Sequence, residues 1–367
     1  MDRRNWLRNS LMATAGLSAF PGISVLAKQL NFNDFEAEEL IRLSSNENPY
    51  GPSKKVREAI MGAITEANRY AFHLESDLQK MIADREKVAP ESVVLSHGSS
   101  EILHLAARLY GSDKQEVVVP SLTFFMFEKC CRLLGGNIKQ IDLNDAHEIN
   151  LEAMEQATGA GTKLVYICNP NNPTGTVIQS SYLKDFCESV STKATVLVDE
   201  AYIEFCRSAY YGSMIDLVRK EKNVIICRTF SKIHGLAGMR IGYAIAKPEI
   251  ARKLSEIKLG ILSHLGIVAA MTAYKDHNFV EETNEKNEIA KNYLYEELNK
   301  MKVTYVKAAA NFVYANVGMD YGNFKNNLAM LQIQISGREN TNWARFTIGT
   351  KSEMEKLVSG MRNVLKK

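Results

Sequence analysis

Short apolar, β-branched runs recur along the chain, separated by stretches with the period of helices. The runs are Ser92 to Leu95, Glu116 to Val119, Lys163 to Cys168, Thr195 to Val198, Val224 to Cys227 and Ile241 to Ile245. They are apolar at successive rather than alternate positions, which predicts strands buried on both faces. Segments such as Glu101 to Tyr110 and Ser180 to Ser189 predict helices between them. The alternation predicts an α/β unit with a mainly parallel sheet covered on both sides, and in such sheets ligands bind beyond the carboxyl ends of the strands. From about Ile267 the pattern changes to a long charged helix, Asn278 to Lys300, then strands around Asn311 to Val317 and Trp343 to Ile348. A second, smaller α+β domain is therefore expected. The expected division is 71–270 for the large domain, with 28–70 and 271–367 forming the small domain and an N-terminal arm.

The first 27 residues read as an address rather than as fold. Arg3-Arg4-Asn5-Trp6-Leu7-Arg8 precedes an apolar, uncharged stretch from Ser10 to Val25, and Val25-Leu26-Ala27 offers small-residue cleavage chemistry. This resembles a twin-arginine export signal and predicts a periplasmic or otherwise exported protein. The plainer alternative is an uncleaved amphipathic helix on a cytoplasmic enzyme. The stretch is short for a spanning helix and no later segment qualifies, so stable membrane insertion is not expected.

Charge narrows the partners. Lys plus Arg total 45 against 42 for Asp plus Glu, a formal net charge of +3 over 367 residues. That balance does not advertise a nucleic-acid partner and favours small-molecule work. Six cysteines show neither a C-x-x-C pair nor zinc spacing, so they are expected to be structural and no metal site is predicted.

Three strings carry chemistry. In Thr229-Phe230-Ser231-Lys232, followed by Gly235 to Gly242, a lysine after a hydroxyl residue on a glycine-rich turn suits an amine aimed into a pocket. Arg240 and Ser231 could together hold a phosphate. In Val196-Leu197-Val198-Asp199-Glu200-Ala201-Tyr202, an acid at the exit of an apolar strand is buried at its root and needs a cationic partner. A protonated pyridine nitrogen is such a partner, and Tyr202 could bond the same ring's phenolic oxygen. A magnesium site of a nucleotide hydrolase is the competing reading for Asp199, and the chain has no phosphate-binding glycine-lysine loop to support it. In Asn169-Pro170-Asn171-Asn172-Pro173-Thr174-Gly175, prolines stiffen a turn that would present the Asn172 amide as a fixed donor. Ser99 and Ser100 at a helix start offer amides to an anion, and Phe124 offers a face to a ring.

With Ser45-Asn46-Glu47-Asn48-Pro49, Asn68-Arg69-Tyr70, Asp199 to Phe205 and Trp343 to Thr350, these strings cover the chain from about Leu43 to its end. The chain resembles a fold-type-I aminotransferase of class I/II and, within that group, histidinol-phosphate aminotransferases. The resemblance implies a seven-stranded sheet between helices and pyridoxal 5'-phosphate (PLP) held as a Schiff base on Lys232. It assigns Asp199, Tyr202, Asn172, Ser99, Ser100, Phe124, Ser231 and Arg240 to the cofactor. It also implies a homodimer in which Tyr70 reaches the partner's cofactor phosphate, with Arg345, Arg338 and Asn48 facing substrate. The expected reaction is ping-pong transfer of an amino group from histidinol phosphate or an aromatic or other amino acid to a 2-oxo acid. Two rivals share the cofactor residues: a decarboxylase of a phosphorylated amino acid, of the threonine-phosphate type, and a non-catalytic PLP-binding protein. A nicotinamide oxidoreductase is disfavoured because no G-x-G-x-x-G follows a strand.

Overall fold

The computed structural model describes residues 40–208 and 210–366. The export-like segment at 1–27 and the start of the N-terminal arm lie outside the described residues. In chain order the strands are β1 (Ile41–Leu43), β2 (Val93–Ser96), β3 (Glu116–Pro120), β4 (Asn137–Ile141), β5 (Thr162–Cys168) and β6 (Thr195–Asp199). They continue with β7 (Val224–Thr229), β8 (Gly242–Ala246), β9 (Thr304–Val306), β10 (Phe312–Asn316), β11 (Ile333–Gly337) and β12 (Trp343–Thr347).

Seven of these form the large sheet, in the order β2-β8-β7-β6-β5-β3-β4. The central runs of unbroken apolar residues sit where expected, because side chains alternate between two covered faces. Val165, Ile167, Val196, Val198 and Ile226 pack into one core with Leu183 and Phe186 of the helix Ser180–Val190. Leu164, Tyr166, Leu197 and Ile225 pack into another with Ile102 and Leu103 of the helix Ser99–Tyr110. Each sheet face thus has a helical cover. The strand predicted over Ile241 to Ile245 forms as β8 but runs antiparallel to both neighbours, β2 and β7. β4, Asn-Ile-Lys-Gln-Ile, pairs only with β3 and is largely exposed, so it lacks the apolar pattern that announced the others.

The second sheet has the order β1-β11-β12-β10-β9. β1 enters it from the other end of the sequence, pairing in parallel with β11 from Ile41↔Ile333 to Leu43↔Ile335. Its core is Leu294, Leu298, Val313, Phe324, Phe346, Leu357 and Met361. The charged helix His277–Lys300 contributes to this core through its C-terminal half. Among the described residues no helix is long and apolar enough to cross a membrane.

Candidate active site

β3, β5, β6 and β7 run parallel, and each ends at one cleft of about 630 Å³. Ser121, Cys168, Asp199 and Thr229, at or just beyond those ends, all line it. The start of the helix Ser99–Tyr110 adds Ser99 and Ser100, the chain between β1 and the first helix adds Ser44 to Glu47, and the second sheet and the residue after β11 add Ser336 to Arg338 and Arg345. The cleft therefore lies at the strand ends, as the fold class demands.

One end of the cleft is built for an anion. The helix Ser99–Tyr110 starts after Gly98, and no side chain caps it, so its first amides open into the cleft. Arg240 lies against that start: Nη2 donates to His97 O at 3.2 Å, and Nη1 donates to Ser231 Oγ at 3.3 Å. Gly98 has φ +78, and a Cβ there would stand 2.3 Å from Arg240 Nη2. Only glycine permits this approach.

The floor holds a buried acid. Asp199 is 2% exposed, accepting from Ala201 N at 3.1 Å and from Tyr166 Oη at 3.1 Å. Burial pushes its carboxyl up to about 6, a rise that those two bonds and the charge of Lys232 only partly offset. Such a carboxylate is short of positive charge and suits a cation placed against it from the cleft. Above it, Lys232 Nζ donates to Ser45 O at 3.0 Å and sits 5.6 Å from the centre of the Tyr202 ring. Burial, and then the charge of Arg345, bring this amine down to about 8, with Glu47 and Asp199 pulling the other way. A lysine so placed has an accessible neutral form.

Beside Lys232, Asn172 Nδ2 donates to Tyr202 Oη at 3.3 Å, and Asn172 Oδ1 accepts from Arg345 Nη1. Arg345 Nη2 donates to Ser44 O, and the buried Nε finds no hydrogen-bond partner among the described residues. The guanidinium thus keeps a free donor, as a site for an anionic head requires. Arg338 stands exposed at the cleft wall, and Phe124 lines it with an aromatic face.

The donor set fits a phosphorylated pyridine aldehyde: an anion cradle, a lysine with a lowered pKa, a cation-seeking acid and a ring-sized wall. A family model described as aminotransferase class I and II matches residues 38–361. The chain belongs to the class I and II aminotransferases. The histidinol-phosphate aminotransferase of Moorella thermoacetica is 34% identical over 336 residues, which cover 89% of this chain and 86% of that protein. The crystal structure of the Sinorhizobium meliloti histidinol-phosphate aminotransferase in complex with pyridoxal-5'-phosphate matches with a TM-score of 0.84 at 27% identity. It covers 89% of this chain and 91% of that one. The histidinol-phosphate aminotransferase from Clostridium acetobutylicum matches with a TM-score of 0.81 at 25% identity, over 89% of this chain and 99% of that one. The protein is accordingly a PLP-dependent transaminase of the fold-type-I architecture.

Of the residues singled out from sequence, Lys232, Asp199, Tyr202, Asn172, Ser99, Ser100, Phe124, Ser231, Arg240, Arg345 and Arg338 share this cleft. Tyr70 does not line it and is 74% exposed. Asn48 requires correction. Its side chain serves the backbone instead of the cleft: Nδ2 donates to Ile233 O at 2.7 Å, and Oδ1 accepts from Tyr50 N at 3.0 Å. The asparagine of this string that faces the chemistry is Asn46, which sequence reading passed over. Asn46 is buried and donates to Tyr202 Oη at 2.9 Å. Within Asn46-Glu47-Asn48 nothing distinguishes one asparagine from the other, and the choice depends on contacts with strands far away in sequence.

Proposed function

We propose that this aminotransferase takes the amino group from a donor with a distal anion, histidinol phosphate in the first instance, and passes it to a 2-oxo acid by a ping-pong route. The observation that carries this reading is the placing of Lys232 and Asp199 on one cleft that Arg345 and Arg338 also line. The names of the relatives above support the same donor.

When bound, the cofactor supplies an aldehyde carbon that accepts amines and a ring that withdraws electrons from the donor's α-carbon. The Ser99 and Ser100 amides, Ser231 and Arg240 would hold its phosphate, Asp199 its ring nitrogen, Asn172 and Tyr202 its ring oxygen, and Phe124 one face. Lys232 Nζ is the group that removes and returns the α-proton, because a base near pKa 8 keeps a useful neutral fraction at working pH. Arg345 orients the donor's polar head or the acceptor's carboxylate, and Arg338 meets the distal anion. Homodimerisation belongs to this reading. Tyr70, Met61, Ile64 and Phe72 are exposed apolar side chains near one another in the chain, and Tyr70 would reach the partner subunit's phosphate cradle. Export by the twin-arginine-like segment is proposed on Arg3, Arg4 and the apolar run that follows. An intact Met1 confined to the cytoplasm would overturn it.

The donor is tested by mixing the purified, cofactor-loaded protein with histidinol phosphate, aromatic amino acids, glutamate and phosphothreonine one at a time. Fast loss of the bound cofactor's visible absorbance with histidinol phosphate, and formation of its keto product, is expected. Carbon dioxide release from phosphothreonine without a keto product would overturn transamination.

A further inference from the structure

Tyr202 is 3% exposed, and its oxygen meets two amide side chains, Asn172 Nδ2 at 3.3 Å and Asn46 Nδ2 at 2.9 Å. The orientation of each amide is set by a neighbour on its other side. Arg345 carries only donors, so the Asn172 group it meets is the carbonyl oxygen, leaving the NH2 for Tyr202. Thr347 Oγ1 accepts from Asn46 N at 2.9 Å and donates to Asn46 Oδ1 at 3.1 Å. The Asn46 NH2 is therefore also turned to Tyr202. Asn46 holds this position with φ 53 and 1% exposure, and its carbonyl oxygen accepts from Asn311 Nδ2 at 3.1 Å.

We infer that Asn46 is a positioning residue for the reaction: with Asn172 it occupies both lone pairs of the Tyr202 oxygen and so directs the phenol's proton into the cleft, toward the cofactor's ring oxygen. The inference rests on the assignment of Tyr202 to that oxygen. A phenol free to turn would share its proton with the asparagines, whereas one that already accepts twice can only donate outward. The charged or titratable groups around Tyr202 are Arg345 on β12, Asp199 on β6, Cys168 on β5 and Lys232 after β7, with Glu47 beside Lys232.

The test is the pH midpoint of the bound cofactor's visible absorbance in the holoenzyme, which falls when a donor stabilises the ring oxygen's negative charge. Asn46→Gly keeps the left-handed backbone and removes the amide. It should raise the midpoint by roughly half a unit to one unit, the scale of one modest hydrogen bond. Asn46→Asp replaces the donor by an acceptor that captures the phenol's proton, and should raise the midpoint as far as Tyr202→Phe does. Thr347→Val, which frees the Asn46 amide to flip, should raise it less, and Thr347→Ser should restore it. Unchanged midpoints in Asn46→Gly and Thr347→Val beside a raised one in Tyr202→Phe would overturn the role of Asn46. An unchanged midpoint in Tyr202→Phe would instead overturn the assignment of Tyr202 and, with it, this inference.

Discussion

Replacing Asp199 by asparagine separates what the fold wants from what the chemistry wants. The carboxyl ionises near 6 in the folded protein against an ordinary 3.8 because burial outweighs the Ala201 amide, Tyr166 and Lys232. A folded-state value above the unfolded one means that ionisation destabilises the fold. The penalty is absent below about pH 3, grows as the pH rises through 3.8 toward 6 and is nearly constant above it, where it amounts to about 3 kcal/mol. Asn is nearly isosteric, and its oxygen can keep the Ala201 bond while its amide meets the Tyr166 oxygen. Asp199→Asn should therefore stabilise the cofactor-free protein by up to about 3 kcal/mol at pH 8 and by only about 1 kcal/mol at pH 4.5. The assay is urea unfolding of the cofactor-free wild type and variant across that range. The same variant loaded with cofactor should lose transamination by a factor of about 10² or more, as when other preorganised electrostatic contacts are removed. A variant that is less stable at every pH, by the same amount, would refute the claim that Asp199 is held as an undercompensated charge.

Other outcomes follow from the same geometry. Gly98→Ala places a methyl 2.3 Å from Arg240 Nη2 at a φ of +78 and should weaken cofactor affinity, measured by titrating the cofactor-free protein, by about tenfold or more. Arg345→Lys keeps the charge but replaces the planar fork, which reaches Asn172 and Ser44 from separate nitrogens, by a single nitrogen, so steady-state kinetics should show a raised KM for the acceptor and a lowered kcat together. Asn48→Ala removes one buried and one half-buried bond and should cost about 1–2 kcal/mol in urea unfolding while leaving the donor KM near that of wild type.

Much of the site was legible because its groups sit at strand exits, where sequence shows them. Asp199 closes β6, Asn172 follows β5 and Lys232 follows β7, each marked by an apolar run that ends abruptly in polar residues. What stayed hidden depends on contacts that no local pattern records. The direction of β8 is a property of topology, since a buried strand reads alike whichever way it runs. β4 was missed because an exposed edge strand has no apolar face to declare itself. Asn46 was passed over for Asn48 because its role depends on Tyr202 and Thr347, which lie 156 and 301 positions away.

The most direct measurement is borohydride reduction of the cofactor-loaded protein, followed by proteolysis and mass mapping of the attached phosphopyridoxyl group. The account predicts a single labelled peptide with the group on the Lys232 side chain, and no label in Lys232→Ala. Label on another lysine, or an equal yield from Lys232→Ala, would contradict it.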